Sequence, residues 1–113
     1  MKHSDGGEGF FVRLSTELRD DGVLARLRGP ALAVFIALGL HVGRDSRCWP
    51  GMSRLATLTG YDRSTVCRAV GGLEHLGLIS VERHPGATNV YTIRRFFRFG
   101  KHAPTDGGDD ALL

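Results

Sequence analysis

The chain has 113 residues, a mass of 12.3 kDa, a formal net charge of +3 and 42% hydrophobic residues. This length fits a single domain, and the composition excludes a wholly disordered chain. The longest apolar run, residues 31–40, is about half of the roughly 20 residues that span a bilayer, and no apolar signal segment follows the N-terminus. We therefore expect a cytoplasmic protein without membrane contact.

Most of the positive charge lies in the middle of the chain. Residues 10–101 contain fourteen of the fifteen Lys and Arg residues but only seven of the twelve Asp and Glu residues. Thirteen of the fifteen cationic residues are Arg, whose planar guanidinium suits phosphates and guanine edges. A GC-rich genome could explain the choice of Arg over Lys, but it does not explain the net charge. A body this basic indicates a polyanionic partner, of which nucleic acid is the commonest.

The two ends differ from the body in composition. Residues 1–9 and 100–113 are rich in Gly and Asp and lack hydrophobic periodicity. This predicts a flexible N-terminus and a flexible acidic C-terminal tail around a domain of residues 10–99. Within the domain, Phe10–Ser15 has the alternation and the aromatic and β-branched content of a strand. A turn at residues 20–22 and a short helical piece at 23–27 follow.

A central buried helix is predicted next. Gly29 and Pro30 begin it, because proline is tolerated at the first helical position, where its missing N–H is not needed. The run 31–40 is apolar on every face, which is typical of a buried helix, and Gly43 is expected to end it. His41, near its end, is interpreted as a partly buried capping residue rather than a functional one.

Two further helices carry the functional argument. The first is expected at Met52–Thr59, between Gly51 as its cap and Gly60, which can enter the left-handed conformation cheaply. Asp62 then caps a second helix of about 62–76, because its carboxylate can accept from the backbone N–H groups of residues 64 or 65. One apolar stripe follows from residues at steps of three and four: Val66, Ala69, Val70, Leu73 and Leu76.

The spacing between these helices is typical of a helix-turn-helix unit. Ala56 lets the two backbones approach, Gly60 makes the turn, and Val66 fills the corner between the crossing helices. Gly77 ends the second helix. Two strand-like runs then follow, 78–83 and 90–94, joined by the turn-rich segment 84–89, and such a hairpin after a recognition helix is a wing.

The segment CWPGMSRLATLTGYDRSTVCRAVGGLEHLGLI resembles the winged helix-turn-helix DNA-binding domains of bacterial, phage and plasmid replication initiators and related transcriptional regulators. The resemblance covers residues 48–94, and the buried helix fits the family's first helix. It implies a mainly α fold with a small β-wing, whose sheet the N-terminal strand could join. Two features depart from the family pattern: Gly51 stands where Ser is usual, and Gly71–Gly72 stand where helix formers are usual. We interpret the glycine pair as a site of close packing, with a hinge as the alternative.

The resemblance also implies how DNA would be bound. The N-terminal half of the second helix would enter the major groove, and the wing would contact the backbone or the minor groove. The outward positions of this helix are 63, 64, 67, 68 and 71. The expected DNA-contacting residues are Arg54, Tyr61, Arg63, Ser64, Thr65, Cys67, Arg68, Arg83, His84 and Asn89.

The run Arg94–Phe99 interleaves Arg with Phe and has several interpretations. It could stack nucleic-acid bases, lengthen the wing strand and pair with the N-terminal strand, or contact a second protomer. Strand pairing or dimerisation is preferred, because exposed Phe is costly.

The sequence favours a sequence-specific double-stranded DNA-binding protein, either a transcriptional regulator or a replication initiator, acting as a homodimer or larger assembly. A winged-helix module that binds protein instead is the alternative, against which the basic body argues. An enzyme is poorly supported, since the five His are scattered and no phosphate-cradling glycine motif is present. Cys48 and Cys67 lack zinc-ligand spacing and are expected to be free thiols. No metal, cofactor or small-molecule ligand is expected.

Overall fold

The computed structural model describes residues 10–101, so the expected flexible N-terminus and most of the acidic tail lie outside the described residues. Five helices and five strands form in this part of the chain. In chain order they are β1 (Phe10–Leu14), α1 (Glu17–Asp20), α2 (Val23–Arg26), α3 (Pro30–Gly39), β2 (Arg47–Cys48), α4 (Met52–Thr59), α5 (Arg63–His75), β3 (Ile79–Glu82), β4 (Val90–Ile93) and β5 (Phe97–Lys101). The architecture is mainly α with small antiparallel sheets, the winged helix-turn-helix fold expected from the sequence.

α3 is the centre of the hydrophobic core. Pro30 lies in its first turn, and Val34, Phe35 and Leu38 are completely buried. α4 and α5 pack against it, with Leu55 and Leu73 equally buried on their inner sides. α3 ends at Gly39, four residues before the predicted end at Gly43.

Gly39 ends the helix at a close contact. A Cβ placed there would lie 2.4 Å from the ring of Phe97, so the contact requires glycine. Phe97 also meets Phe35 edge to face at 5.1 Å between ring centroids. The ring of Phe96 has its centroid 6.4 Å from that of Phe35, and Phe96 and Phe97 therefore both belong to the core. This burial contradicts a base-stacking role for these two rings.

The strands form two separate sheets. β1 pairs with β5 in one antiparallel sheet, with Phe11 opposite Gly100 and Arg13 opposite Arg98. β3, β4 and β2 form the other sheet, in which β4 is central, and this is the wing. The pairing of the two chain ends was one of the expected arrangements. The N-terminal strand does not, however, join the wing sheet.

A local backbone feature separates the two sheets. Between β4 and β5 the chain passes through Phe96, which has a φ of +81°, a conformation that few non-glycine residues adopt. The backbone N–H of Ser15 donates to the Phe96 carbonyl at 2.7 Å, which ties this turn to the end of β1. The run 94–99 therefore turns away from the wing instead of lengthening β4. β5 ends at Lys101, two residues beyond the domain end expected from composition.

Candidate nucleic-acid interface

The turn between α4 and α5 forms as the sequence predicts. Gly60 has a φ of +81° and its N–H donates to the Ala56 carbonyl at 2.9 Å, which ends α4. Val66 is completely buried at the corner between the two helices. At the far end of α5, Leu78 N–H donates to Leu73 and Gly77 N–H to Glu74, a Schellman motif that fixes where the wing begins.

α5, which we call the recognition helix, presents one apolar and one polar side. The inner residues Val66, Ala69, Val70 and Leu73 are buried. The outward positions are all exposed, namely Arg63, Ser64, Cys67, Arg68 and Gly71. A Cβ at Gly71 or Gly72 would meet no atom of another element among residues 10–101 within 4 Å. The close-packing interpretation of the glycine pair is therefore wrong, and the hinge interpretation stays untested.

Asp62 organises the N-terminus of the recognition helix. Its Oδ1 accepts from the Thr65 backbone N–H at 2.8 Å and from the Ser64 hydroxyl at 3.1 Å. These hydrogen bonds, the backbone one above all, lower the pKa of the Asp62 carboxyl. The Thr65 hydroxyl accepts from Arg68 Nη2 at 3.4 Å. Ser64 and Thr65 thus take part in the cap network at the end of the helix that would enter the major groove.

The arginines of the helix pair are held by neutral groups. Arg63 donates to the Ser53 hydroxyl at 2.9 Å, and Arg54 donates to His41 Nε2 at 3.1 Å. His41 Nδ1 lies 2.7 Å from the Ala37 carbonyl, so the two contacts together fit the tautomer with the proton on Nδ1. His41 is partly buried at the end of α3, as expected. The positive charges of these arginines remain uncompensated by their hydrogen-bond partners.

Tyr61 occupies the turn between the helices and is only half exposed. Its ring packs against the hydrophobic core, and its hydroxyl would lie 3.7 Å from a Cβ on Gly29. Its aromatic ring thus contributes to the core of the helix-turn-helix unit.

The wing residues have charged or polar partners of their own. Arg83 forms a bidentate pair with Glu74 of the recognition helix, at 3.0 and 3.3 Å. This pairing lowers the pKa of Glu74 and raises that of Arg83. His84 Nε2 lies 3.5 Å from a Glu82 carboxylate oxygen, and Asn89 lies 3.5 Å from the Tyr91 hydroxyl.

A groove joins the recognition helix to the wing tip. Its lining residues include Gly51 before α4, Arg63 of α5, and Thr88 and Asn89 of the wing loop. The structure therefore brings together the start of α4, the start of α5 and the tip of the wing. Ser53 and Thr88 were not singled out from the sequence, because an isolated surface hydroxyl carries no local signal.

The two cysteines are free thiols in different environments. Cys48 is buried, which raises the pKa of its thiol to about 12, whereas Cys67 is exposed; both are free thiols. In the described part of the chain, no cluster of three or more His, Cys, Asp or Glu side chains could hold a metal ion. None of the helices described between residues 10 and 101 has the length and hydropathy to cross a membrane.

Comparisons with known proteins agree with this geometry. The family model described as "Helix-turn-helix domain" matches residues 25–79. Among solved structures, a MarR family transcriptional regulator from Silicibacter pomeroyi DSS is similar in fold, with a TM-score of 0.50 and 22% sequence identity. The match covers 71% of this chain and 50% of that one, so the chain spans about half of the regulator's length. A search of curated protein sequences gives no significant match. These matches and the element order together show that the chain has the winged helix-turn-helix fold.

Proposed function

We propose that this protein binds double-stranded DNA sequence-specifically, as a transcriptional regulator or a replication initiator rather than as an enzyme. The observation that carries the proposal is the outward face of the recognition helix. The N-terminal half of this face combines Arg63 and Arg68 with Ser64 and Cys67 and contains no carboxylate beyond the capping Asp62; Glu74, farther along the helix, is paired with Arg83. An arginine at this position can donate two hydrogen bonds to guanine O6 and N7, while hydroxyl groups can reach bases or phosphates.

The wing completes the proposed interface. Asn89 lines the groove and His84 lies in the loop that joins β3 to β4, and both would contact the backbone or the minor groove. Arg54 and Tyr61 would contact phosphates next to the helix-turn-helix unit. Arg83 would join them only where a phosphate competes with Glu74.

A homodimer is proposed as the binding unit, because one winged helix reads only a few base pairs. Phe96 and Phe97 cannot form the contact, since both are buried inside the protomer. Leu40 and Trp49, 66% and 61% exposed, are better placed to do so. Sedimentation at micromolar concentration, with and without DNA, should give a dimer, and a monomer under both conditions would contradict this part of the proposal.

The test of DNA reading begins with selection of random duplexes against the purified protein. Arg63→Ala and Arg68→Ala should then each weaken binding to the selected site by about 1–3 kcal/mol and relax preference at one base pair. Arg26→Ala, an exposed arginine on α2, is the matched control and should leave the preference unchanged.

Salt dependence separates two kinds of contact. If an arginine binds only a phosphate, its loss weakens binding to all duplexes similarly and reduces the salt slope by about one unit. If neither variant changes binding to any duplex, the assignment of this helix is wrong and a protein partner becomes the better hypothesis.

A further inference from the structure

A second basic groove lies away from the recognition helix. It runs between the β1–β5 sheet and the base of the wing, and we call it the arginine groove. Its charged lining residues are Arg13, Arg44, Arg94, Arg95, Arg98 and Glu17. Five guanidinium groups against one carboxylate make this a concentrated positive surface. It shares no lining residue with the groove between the recognition helix and the wing tip.

The pairing register concentrates charge within this groove. Arg13 lies directly opposite Arg98 in the antiparallel pair of β1 and β5. Opposed residues of such a pair have Cβ atoms about 4.5–5.5 Å apart, and like charges at these positions destabilise the sheet. An anion bound between the two guanidinium groups would relieve this repulsion.

The ion pairs of the described residues leave most of this charge uncompensated. Arg95 pairs with Asp21 and also stacks on Phe96, with its guanidinium carbon 4.5 Å from the ring centroid. Arg94 donates to the neutral Ser80 hydroxyl at 3.1 Å. The ion pairs formed within residues 10–101 do not include Arg13, Arg44 or Arg98.

The chemistry of the groove favours phosphates over bases. Phe96 and Phe97 line the groove, but their rings pack against Phe35 and are only 6% and 9% exposed, which leaves little surface for stacking. Arg94 and Arg95, between β4 and β5, are exposed, and so is Arg98, which points away from the buried Phe97 because successive residues of a strand point to opposite sides. Several exposed guanidinium groups with little accessible aromatic surface suit the repeating phosphates of a nucleic-acid backbone.

The position of the groove indicates which segment of nucleic acid it would bind. The two grooves approach each other along β4, where Tyr91 lines the groove at the wing tip and Ile93 lines the arginine groove. Asn89 at the wing tip and Arg94 in the arginine groove flank β4 at its two ends, about 16 Å apart along the strand at 3.3 Å per residue. We propose that the arginine groove binds the sugar-phosphate backbone of a second nucleic-acid segment, so that one protein molecule contacts two segments.

The test compares two double variants of the full chain that lose equal charge. Arg13→Gln/Arg98→Gln changes the groove, and Arg19→Gln/Arg26→Gln changes exposed arginines of α1 and α2 that do not line it. The groove variant removes a repulsive pair, so its thermal midpoint at low salt should be equal to or above that of the parent. This keeps a binding defect distinct from a folding defect.

The first measurement is the affinity for a labelled random-sequence duplex across a range of salt concentrations. Loss of two phosphate contacts should reduce the slope of log affinity against log salt by about two units. Between 50 and 200 mM salt, the groove variant should thus lose about tenfold less affinity than the parent. The control variant should keep the parent's slope, and an equal reduction in both variants would overturn the proposal.

The second measurement detects bridging. An immobilised duplex is loaded with protein and challenged with a second, fluorescent duplex. The parent and the control variant should capture the second duplex, and the groove variant should not. Unchanged capture by the groove variant would overturn the proposal. Displacement of bound duplex from the parent by poly-glutamate but not by competitor DNA would also overturn it, and would favour an acidic protein partner.

The two proposals fail in different ways. Arg63→Ala/Arg68→Ala should abolish preference for a selected site while leaving the salt slope that depends on the groove. A protein without any preferred site could still show the groove-dependent slope. Conversely, loss of the groove's effect would leave the reading by the recognition helix intact.

Discussion

The recognition helix and the wing both carry basic side chains, but they hold them differently. Arg63 and Arg68 of the helix donate to the hydroxyls of Ser53 and Thr65, which are neutral. On the wing, Arg83 and His84 lie against the carboxylates of Glu74 and Glu82. A phosphate can replace a hydroxyl partner at little electrostatic cost, whereas it must compete with a carboxylate. The comparison teaches that equal numbers of basic residues do not make equally available positive surfaces.

The largest effect is expected from removing a buried side chain on the inner side of the recognition helix. Leu73→Ala removes a completely buried side chain from the inner side of α5 and should lower the free energy of unfolding by about 2–5 kcal/mol. Urea unfolding measures the change. Leu58→Ala is the matched control, because Leu58 is 52% exposed on α4 and should cost much less. Equal losses from the two substitutions would contradict the packing described for α5.

The glycine pair tests whether the helix needs flexibility. Gly71→Ala and Gly72→Ala should each raise the free energy of unfolding by about 0.5–1 kcal/mol, because alanine favours the helix and its Cβ meets nothing within 4 Å. Gly39→Ala is the contrasting control and should destabilise the protein, since its Cβ would overlap Phe97. A more stable Gly72→Ala variant with weaker binding to a selected site would support the hinge interpretation.

Removing the carboxylate partner of Arg83 should leave this wing arginine without a charged partner, as the arginines of the recognition helix are. Glu74→Gln removes the carboxylate that holds Arg83, so affinity for random duplex should rise and the salt slope should steepen by about one unit. Titrations at several salt concentrations measure both quantities. Asp20→Asn changes the net charge equally on α1 and serves as the control. If both variants gain the same affinity, overall charge rather than Arg83 is responsible.

The smallest effect concerns acid stability. The pKa of the Asp62 carboxyl is lowered in the folded state, chiefly by the Thr65 backbone hydrogen bond. Its contribution to stability is therefore complete above the ordinary carboxyl pKa of 3.8 and is lost as the pH falls through the lower, folded value. Asp62→Asn should keep the cap at neutral pH, since Asn caps helices as well as Asp does, and should reduce the loss of stability on acidification. Thermal midpoints between pH 2 and 7 measure this, and an unchanged pH dependence would contradict it.

Elements defined by local signals follow the sequence closely. α4 begins and ends at the predicted residues, and Asp62 caps α5 by the predicted hydrogen bond. Glycine at a turn and a carboxylate at a helix start act on neighbouring residues, so their effect can be recognised without knowing the fold. The same holds for the inner and outer sides of α5, which follow from the helical period.

Other features depend on residues distant in the chain. β2 has two residues and no periodicity, and it exists because Arg47 and Cys48 pair with Thr92 and Tyr91 of β4. The pairing of Arg83 with Glu74 depends on where the wing folds back along α5. The glycine pair was assigned to packing because the sequence does not show which helix positions lack a neighbour.

The sequence by itself determined the helix-turn-helix unit, the hairpin and the face of the helix that is exposed, because these depend on contacts within a few residues. Only the tertiary structure decided which strands the first and last described strands, β1 and β5, pair with. Strand β1 (Phe10–Leu14) pairs with β5 and not with the wing sheet, because the chain turns at Phe96 and the rings of Phe96 and Phe97 are buried against α3. That same choice places Arg13 opposite Arg98, since a register between strands more than eighty residues apart is set by the core they cover and not by either strand's own pattern.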